Sequence, residues 1–512
     1  MSRPPAYAIW SHFAPSRGSP LSIQEQLVRF FRQEVAKGAL RPGTRVPASR
    51  ALAQELGLAR GTVSNVYERL AAEGFLVTRH GFGTIVAGQP AEPKRRDGAG
   101  ARAGSQPRRD FAGSRRALEL MTARSVATRA TWPLTPGVPA LDAFPFALWA
   151  RLNARFHRRQ SADDLAYGEP LGYRPLREAI AGYVGAARGI TCTADEVLVT
   201  TGTQSATYIA ALTIADPGER AWIEDPGYNG TRLALRLADL KSVPVRVDEE
   251  GLDVADGQRL DAQAKLVQTR LAIVSPSHQF PTGVVMSLTR RLALIDWAEA
   301  AGAYVIEDDY DSEFRYDGEP IASLKALDGR HGRVIYVGTL SKVLAPGLRL
   351  GFLIVPDHLI DAARAVRSAL DRQVSLPLQA TVSEFIGNGH LGAHIRKLRA
   401  VYAERRHALL EALDTLGRGL FRVSGAATGV HVLGGLPPSI DDVAVARRAR
   451  ARQIGVEPLS FYRVGPDTQP RPALLLGFAN TPPVILRAAV ADVVSIIADE
   501  PARRLVRASV SS

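Results

Sequence analysis

The chain has 512 residues, 46% hydrophobic and 22% charged, a composition that excludes a collagen-like, fibrous or wholly disordered protein and suggests two to four domains. Its net charge of +13 is unevenly spread: residues 1–130 hold 21 Lys and Arg against 9 Asp and Glu, and the remainder holds 43 against 42. A basic N-terminal module on a near-neutral body points to a polyanionic partner, most often nucleic acid. The single cysteine, Cys192, excludes an intramolecular disulfide. No apolar run approaches the ~18 residues of a membrane span and no apolar leader opens the chain, so a cytoplasmic protein without a membrane partner is expected.

Ile23, Leu27, Phe30, Phe31 and Val35 recur at helical spacing and Gly38 closes the segment. Pro42-Gly43 is a turn, and Pro47 and Ser49 signal a short second helix over 50–56 that Gly57 stops. A third helix starts near Arg60, with Val63, Val66, Tyr67 and Leu70 on one face and Thr62, Asn65 and Arg69 on the other. Gly74 ends it, and residues 75–86 alternate around Gly81-Phe-Gly83 as a hairpin with a glycine tip. Three helices and a hairpin make a winged helix-turn-helix, whose third helix suits the major groove of double-stranded DNA. Arg60, Thr62 and Asn65 sit where side chains reach base edges. Arg50 is placed to hold a phosphate, and Gly81 puts the hairpin tip along the backbone or minor groove.

These residues resemble the winged helix of the GntR family. The resemblance rests on 38–53 (Gly-Ala-Leu-Arg-Pro-Gly-Thr-Arg-Val-Pro-Ala-Ser-Arg-Ala-Leu-Ala), on 60–70 from Arg-Gly-Thr-Val-Ser-Asn, on Glu73-Gly-Phe and on Gly81-Phe-Gly-Thr-Ile-Val. It implies binding to a DNA operator. The family often has Ser before the recognition-helix Arg; Ala59 stands there instead, so the helix loses an N-cap candidate, worth about 1 kcal/mol or less.

Residues 89–130 carry 10 basic and 4 acidic residues with many Gly and Pro, the composition of a flexible basic linker. The domain reading is therefore 1–88 winged helix, 89–130 linker and 131–505 effector domain. From Trp132 strand-like runs (197–201, 221–224, 272–275, 304–306, 333–337) alternate with helical patterns (176–183, 290–300), as in an α/β domain with a mostly parallel sheet.

An imine needs a lysine amine, and the chain has only seven lysines. Lys342 follows the apolar run 334–337 and the turn Gly338-Thr-Leu-Ser, with Arg349 seven residues on. Asp308 ends another strand, where a carboxylate can pair with a protonated pyridine nitrogen. Around such strand ends no His/Asp/Glu pattern has metal spacing, so no metal is expected. Gly202-Thr203-Gln204 follows a strand and precedes a helix, a place where backbone N–H groups can cradle a phosphate. Tyr228, in Asp225-Pro-Gly-Tyr, can present a ring for stacking.

Residues 132–500 resemble class I, fold-type I aminotransferases. The matching segments are Tyr167-Gly-Glu-Pro-Leu-Gly-Tyr, Thr201-Gly-Thr-Gln, Glu224-Asp-Pro-Gly-Tyr, Pro276-Ser-His-Gln-Phe-Pro-Thr-Gly, Glu307-Asp-Asp-Tyr and Thr339-Leu-Ser-Lys-Val-Leu-Ala-Pro-Gly-Leu-Arg. The resemblance implies the pyridoxal 5′-phosphate-dependent transferase fold: a mostly parallel seven-stranded sheet with a small C-terminal subdomain. It implies that Lys342 forms a Schiff base with the cofactor, Asp308 pairs with the pyridine nitrogen and Tyr310 bonds the ring oxygen. Tyr228 would stack on the ring, Gly202, Thr203, Gln204, Thr339 and Arg349 would hold the phosphate, and Tyr167 would reach the phosphate of the other subunit. Two positions depart from the enzymes. Phe280 replaces the Asn usual before Pro-Thr-Gly, and Leu475 stands where an Arg usually grips the substrate carboxylate, unless Arg463 or Arg471 substitutes.

A winged helix joined by a basic linker to this domain resembles the MocR subfamily of GntR-type regulators. That resemblance implies a dimeric, head-to-tail, domain-swapped regulator that binds pyridoxal phosphate and senses a small-molecule effector: the cofactor itself, an amine, a sulfonate or an unusual amino acid. The alternatives are an active aminotransferase with a DNA-binding appendage, and a cofactor carrier.

Overall fold

The structure, a computed structural model, describes residues 9–10, 13–16, 18–79, 83–87, 113–122, 131–264, 268–318, 322–329, 331–465 and 471–499. The chain divides into two units, Met1–Asp110 and Phe111–Ser512. Within 89–130, Arg115–Thr122 is helical, and Arg116 pairs with Asp239 in the second unit.

In the first unit, helices α1 (Ile23–Ala36), α2 (Ser49–Leu56) and α3 (Arg60–Ala72) precede strands β1 (Leu76–Arg79) and β2 (Gly83–Val86), in the order expected of a winged helix. The Ser22 hydroxyl accepts from the Glu25 N–H and caps α1. Gly57, at φ 64°, ends α2 in the left-handed conformation that glycine takes freely. Neither α2 nor α3 has a side-chain cap; Ala48 and Ala59 occupy those positions. Leu27, Phe31, Leu52, Val63, Val66, Leu70 and Leu76 are fully buried and bind the helices to the hairpin. The Tyr67 hydroxyl donates to the Pro47 carbonyl at 2.8 Å and ties α3 to the segment before α2.

The second unit is built on a sheet of eight strands, one more than expected. These are β3 (Val197–Thr200), β4 (Arg220–Asp225), β5 (Lys241–Asp248), β6 (Gly251–Leu252), β7 (Thr269–Val274), β8 (Tyr304–Asp309), β9 (Val334–Thr339) and β10 (Gly351–Ile354), in the spatial order β3-β10-β9-β8-β7-β4-β5-β6. The extra strand is β6, two residues paired antiparallel at the β5 edge, too short to leave a pattern in the sequence. Strands β9, β8, β7, β4 and β5 are parallel. Both β3 and β9 run antiparallel to β10, and so run parallel to each other. The C-terminal ends of β3, β4, β8 and β9 therefore lie on one edge, the usual ligand edge of an α/β sheet. A second, antiparallel sheet, β11 (Arg422–Ser424), β12 (His431–Gly435), β13 (Glu457–Pro458) and β14 (Ala473–Gly477), forms the small C-terminal subdomain in the order β11-β12-β14-β13. The helices His390–Gly417 and Pro483–Ala498 bury their apolar faces in the core that includes it.

Strand β8 is buried along its whole length although it ends in Glu307-Asp308-Asp309. Alternation puts Glu307 and Asp309 on one face and Asp308 on the other. Glu307 accepts from the N–H groups of Leu324 and Lys325 at 3.0 and 2.8 Å. Asp309 accepts from Arg188 and from the Tyr336 hydroxyl, both at 2.7 Å. Arg188 also meets Glu313 at 2.7 Å, so one guanidinium neutralises two buried carboxylates. Removing it strands both charges, a loss of about 3–5 kcal/mol for a buried pair. Arg188→Ala is expected to lower the stability of this unit by that amount in chemical denaturation; a change below about 1 kcal/mol, the scale of an exposed pair, would contradict the role given to the network.

Candidate functional site

A cavity of about 200 Å³ opens at the C-terminal ends of β3, β4, β8 and β9, and it gathers Thr203, Tyr228, Asp308, Tyr310, Thr339, Lys342 and Arg349 of the expected set. Thr339 ends β9, and its hydroxyl accepts from the Ser341 N–H at 3.1 Å, shaping the turn that presents Lys342. The Lys342 amine donates to the Gly137 carbonyl. Gly202 caps the helix Thr203–Ile214 at φ 117°; a Cβ there would sit 3.2 Å from the Arg349 guanidinium, so the cation lies against the helix N-terminus. Gln204 is exposed in the first turn of that helix and does not line the cavity. Tyr167 is also outside it, 82% exposed, with the Arg372 guanidinium 4.7 Å above its ring.

Burial dominates the electrostatics. The Asp308 carboxyl is pushed up to about 7 by burial and by the neighbouring Asp309, against the pull of Lys342. Burial also depresses the Lys342 amine, opposed by Asp311 and Asp308. Burial raises Glu224 to about 8, although it accepts from the Ser275 N–H and the Gln279 amide, each at 3.2 Å. Asp308 Oδ1 is buried without a hydrogen-bond partner. A buried acceptor without a partner is costly.

Leu475 does not line the cavity. That residue is fully buried among Leu433, Leu459, Ala473 and Tyr462, with Phe280 packed against the group. Arg463 and Arg471 line a different groove, of about 1010 Å³, beside Asp225 and Thr282; neither lines the cavity that holds Lys342.

Sequence reasoning missed a group behind Tyr310. His278, Asp311 and His431 are all buried and place one donor or acceptor atom each within 4.8 Å of one another. They come from three separate segments, so no spacing announces them. Asp311 sits at His278 Nδ1, whereas the unpartnered ring nitrogen is Nε2, on the other side of the ring. His278 Nδ1 thus faces both Asp311 and the Tyr310 hydroxyl, and the group reads as a hydrogen-bonded cluster. Gly137, whose carbonyl holds the Lys342 amine, was missed as well.

On the first unit, Arg50, Arg60 and Asn65 are exposed and Thr62 is half-buried at the start of α3. Arg50 and Arg60 make no ion pair with any other described residue. Arg69, on the same polar face, is held by Glu73 and Glu25 at 3.1 and 3.4 Å and is not a free cation. Gly81 lies outside the described residues.

Two family models match: "Bacterial regulatory proteins, gntR family" over 23–86 and "Aminotransferase class I and II" over 134–489. The chain is 35% identical to "Probable rhizopine catabolism regulatory protein MocR" of Rhizobium meliloti, covering 92% of this chain and 93% of that one. It is 34% identical to "HTH-type transcriptional regulator TauR" of Rhodobacter capsulatus, covering 86% and 90%. The multiple substrate aminotransferase of Thermococcus profundus superposes with a TM-score of 0.66 at 28% identity, over 76% of this chain and 96% of that one. A DNA-reading winged helix is thus fused to an aminotransferase fold. The chain belongs to the MocR-type transcription regulators of the GntR family.

The aminotransferase fold implies pyridoxal phosphate as cofactor, and the cavity residues fit it. The cavity gathers an amine, a carboxyl with an unpartnered oxygen, a phenol and a guanidinium at a helix N-terminus, a donor set chemically suited to an aldehyde, a ring nitrogen, a ring oxygen and a phosphate.

The raised Asp308 value has a consequence for stability. The folded carboxyl keeps its proton up to about 7, whereas the unfolded one releases it near ~3.9. Stability from this group is therefore lost as pH climbs between those values. In cofactor-free protein, Asp308→Asn is expected to raise the melting temperature at pH 8, with the gain shrinking toward pH 4. A gain independent of pH would contradict an uncompensated buried carboxyl.

Proposed function

We propose that this regulator binds pyridoxal 5′-phosphate in the Lys342 cavity and couples that site to operator binding by the winged helix. The observation that carries the reading is that half-buried Lys342 and buried Asp308, whose Oδ1 has no hydrogen-bond partner, line one cavity. Lys342 would hold the cofactor through its aldehyde carbon and Asp308 would hold a proton on the pyridine nitrogen. Tyr310 donates to the ring oxygen and Tyr228 covers the ring. The Gly202-Thr203-Gln204 turn, Thr339 and Arg349 hold the phosphate. Tyr167, exposed on the single chain, is left to reach the phosphate of the second subunit in a head-to-tail, domain-swapped homodimer. Bound there, the cofactor supplies an electrophilic carbon for amines and a ring that accepts an electron pair.

Leu475 and Phe280 argue against routine turnover. No guanidinium stands at Leu475, which is buried in an apolar cluster, to pair with an α-carboxylate, and Phe280 presents carbon to the cavity. The effector is then the cofactor itself or an amine that needs no carboxylate clamp. Residues 1–88 read DNA, with Arg60, Thr62 and Asn65 at base edges, Arg50 at a phosphate and Gly81 at the wing tip. The basic linker 89–130 adds salt-dependent, sequence-independent affinity.

Protein mixed with pyridoxal phosphate is expected to turn yellow, and Lys342→Ala to stay folded without the visible band; an unchanged band refutes the assignment. Arg60→Ala is expected to weaken operator binding about tenfold to a hundredfold while leaving the band intact. Parental affinity in that variant would remove Arg60 from the reading face.

A further inference from the structure

His278 and Asp311 stand behind Tyr310, outside the set of groups given to the cofactor. The Tyr310 hydroxyl lies 3.0 Å from His278 Nδ1, and the same Nδ1 lies 3.0 Å from both oxygens of Asp311. The His278 and Asp311 side chains are each 1% exposed. The imidazole is wedged: a Cβ at Gly429 would lie 2.0 Å from His278 Cε1, so only glycine fits against that edge. His431 packs beside it with ring centroids 5.0 Å apart, and burial holds His431 neutral.

We propose that the Asp311–His278 pair is a positioning device that turns the Tyr310 hydroxyl hydrogen into the cavity, making Tyr310 a dedicated donor to the ring oxygen of the bound cofactor. This rests on the proposed cofactor reading. Nδ1 carries one hydrogen or none. If it carried none, its lone pair would oppose the Asp311 carboxylate at 3.0 Å, and the hydrogen would sit on Nε2, which has no partner in its buried surroundings. Both features select the tautomer with hydrogen on Nδ1, donated to the carboxylate. A doubly protonated ring also carries hydrogen there. In every favoured state Tyr310 faces an N–H, which cannot accept its hydrogen, and its O–H turns away from His278.

The direction matters because of Phe280. Its ring lies edge-on to Tyr310, with centroids 6.1 Å apart, and brings carbon to that wall. Tyr310 itself faces Asp311, Asp308, Glu224 and Asp309, and burial among these acidic groups keeps the phenol protonated. A protonated phenol whose hydrogen is already aimed loses less freedom when the ligand arrives.

The test is the pH titration of the visible band of cofactor-loaded protein, in the parent and in Asp311→Asn, His278→Phe, Tyr310→Phe and the double variant Tyr310→Phe/Asp311→Asn. A donor at the ring oxygen stabilises the more negative, deprotonated form, so losing its alignment raises the midpoint. Asp311→Asn and His278→Phe are each expected to move it up by about half to one pH unit. Tyr310→Phe is expected to move it the same way by at least as much, and Asp311→Asn to add nothing in that background. His278→Phe keeps ring volume, so the test stands even if Asp311→Asn does not fold. Unmoved midpoints in both single variants beside a shifted Tyr310→Phe overturn the device, as does an Asp311→Asn shift that persists without Tyr310. A parent protein that gains no visible band overturns the cofactor reading itself, and the device with it.

Discussion

Three consecutive carboxylates are buried at the end of one central strand, and the site follows from how they are neutralised. Burying an ionised carboxylate without partners costs several kcal/mol, so each must be paired, protonated or met by a ligand. Glu307 is met by two backbone N–H groups, and Asp309 by Arg188 and Tyr336. Those bonds hold the strand in place. Asp308, turned to the other face by strand alternation, lines the cavity and has a buried Oδ1 without a hydrogen-bond partner. The fold thus satisfies two of its three acidic groups internally and leaves the third with an unpartnered oxygen beside the cavity.

The rest of the cavity follows from strand direction. Because β3, β4, β8 and β9 point the same way, the segments after them deliver Thr203, Tyr228, Tyr310 and Lys342 to one edge from positions scattered over about 140 residues. The turns there are tightly made. Gly202, at φ 117°, takes a conformation that side chains rarely adopt and sits beside Arg349, and Gly137 accepts from the lysine. The small sheet buries Leu475 in an apolar cluster against which Phe280 packs, and Phe280 lines the cavity. DNA reading and ligand holding are thus assigned to different units of one chain. The charge distribution agrees, with the excess of basic residues confined to the first 130.

Much of this was legible in the sequence because it rests on local signals. Helical spacing and glycine stops gave the three helices of the winged unit, and apolar runs gave the five named strands to within one to three residues at each end. Lys342 stood out because lysines are few and it follows a strand. What stayed hidden depends on tertiary pairing. Strand β6 is two residues long and exists because β5 offers an edge. Arg188 is one of many arginines, and nothing near it in sequence marks it as the partner of Asp309 and Glu313. The His278–Asp311–Tyr310 cluster is assembled from residues 278 and 310–311, joined only in space. Arg69 reads as part of the polar DNA-facing stripe until its two glutamates are seen.

The central claim is that one chain couples a cofactor site to DNA recognition. It is tested most directly by measuring operator affinity of the full-length protein, by fluorescence anisotropy at fixed salt, with and without saturating pyridoxal phosphate. The account predicts that the cofactor changes the dissociation constant by about five- to 150-fold, the usual range of a coupling free energy, and that Lys342→Ala abolishes the change while still binding DNA. Identical affinities with and without the cofactor, in a protein that demonstrably binds it, would contradict the account.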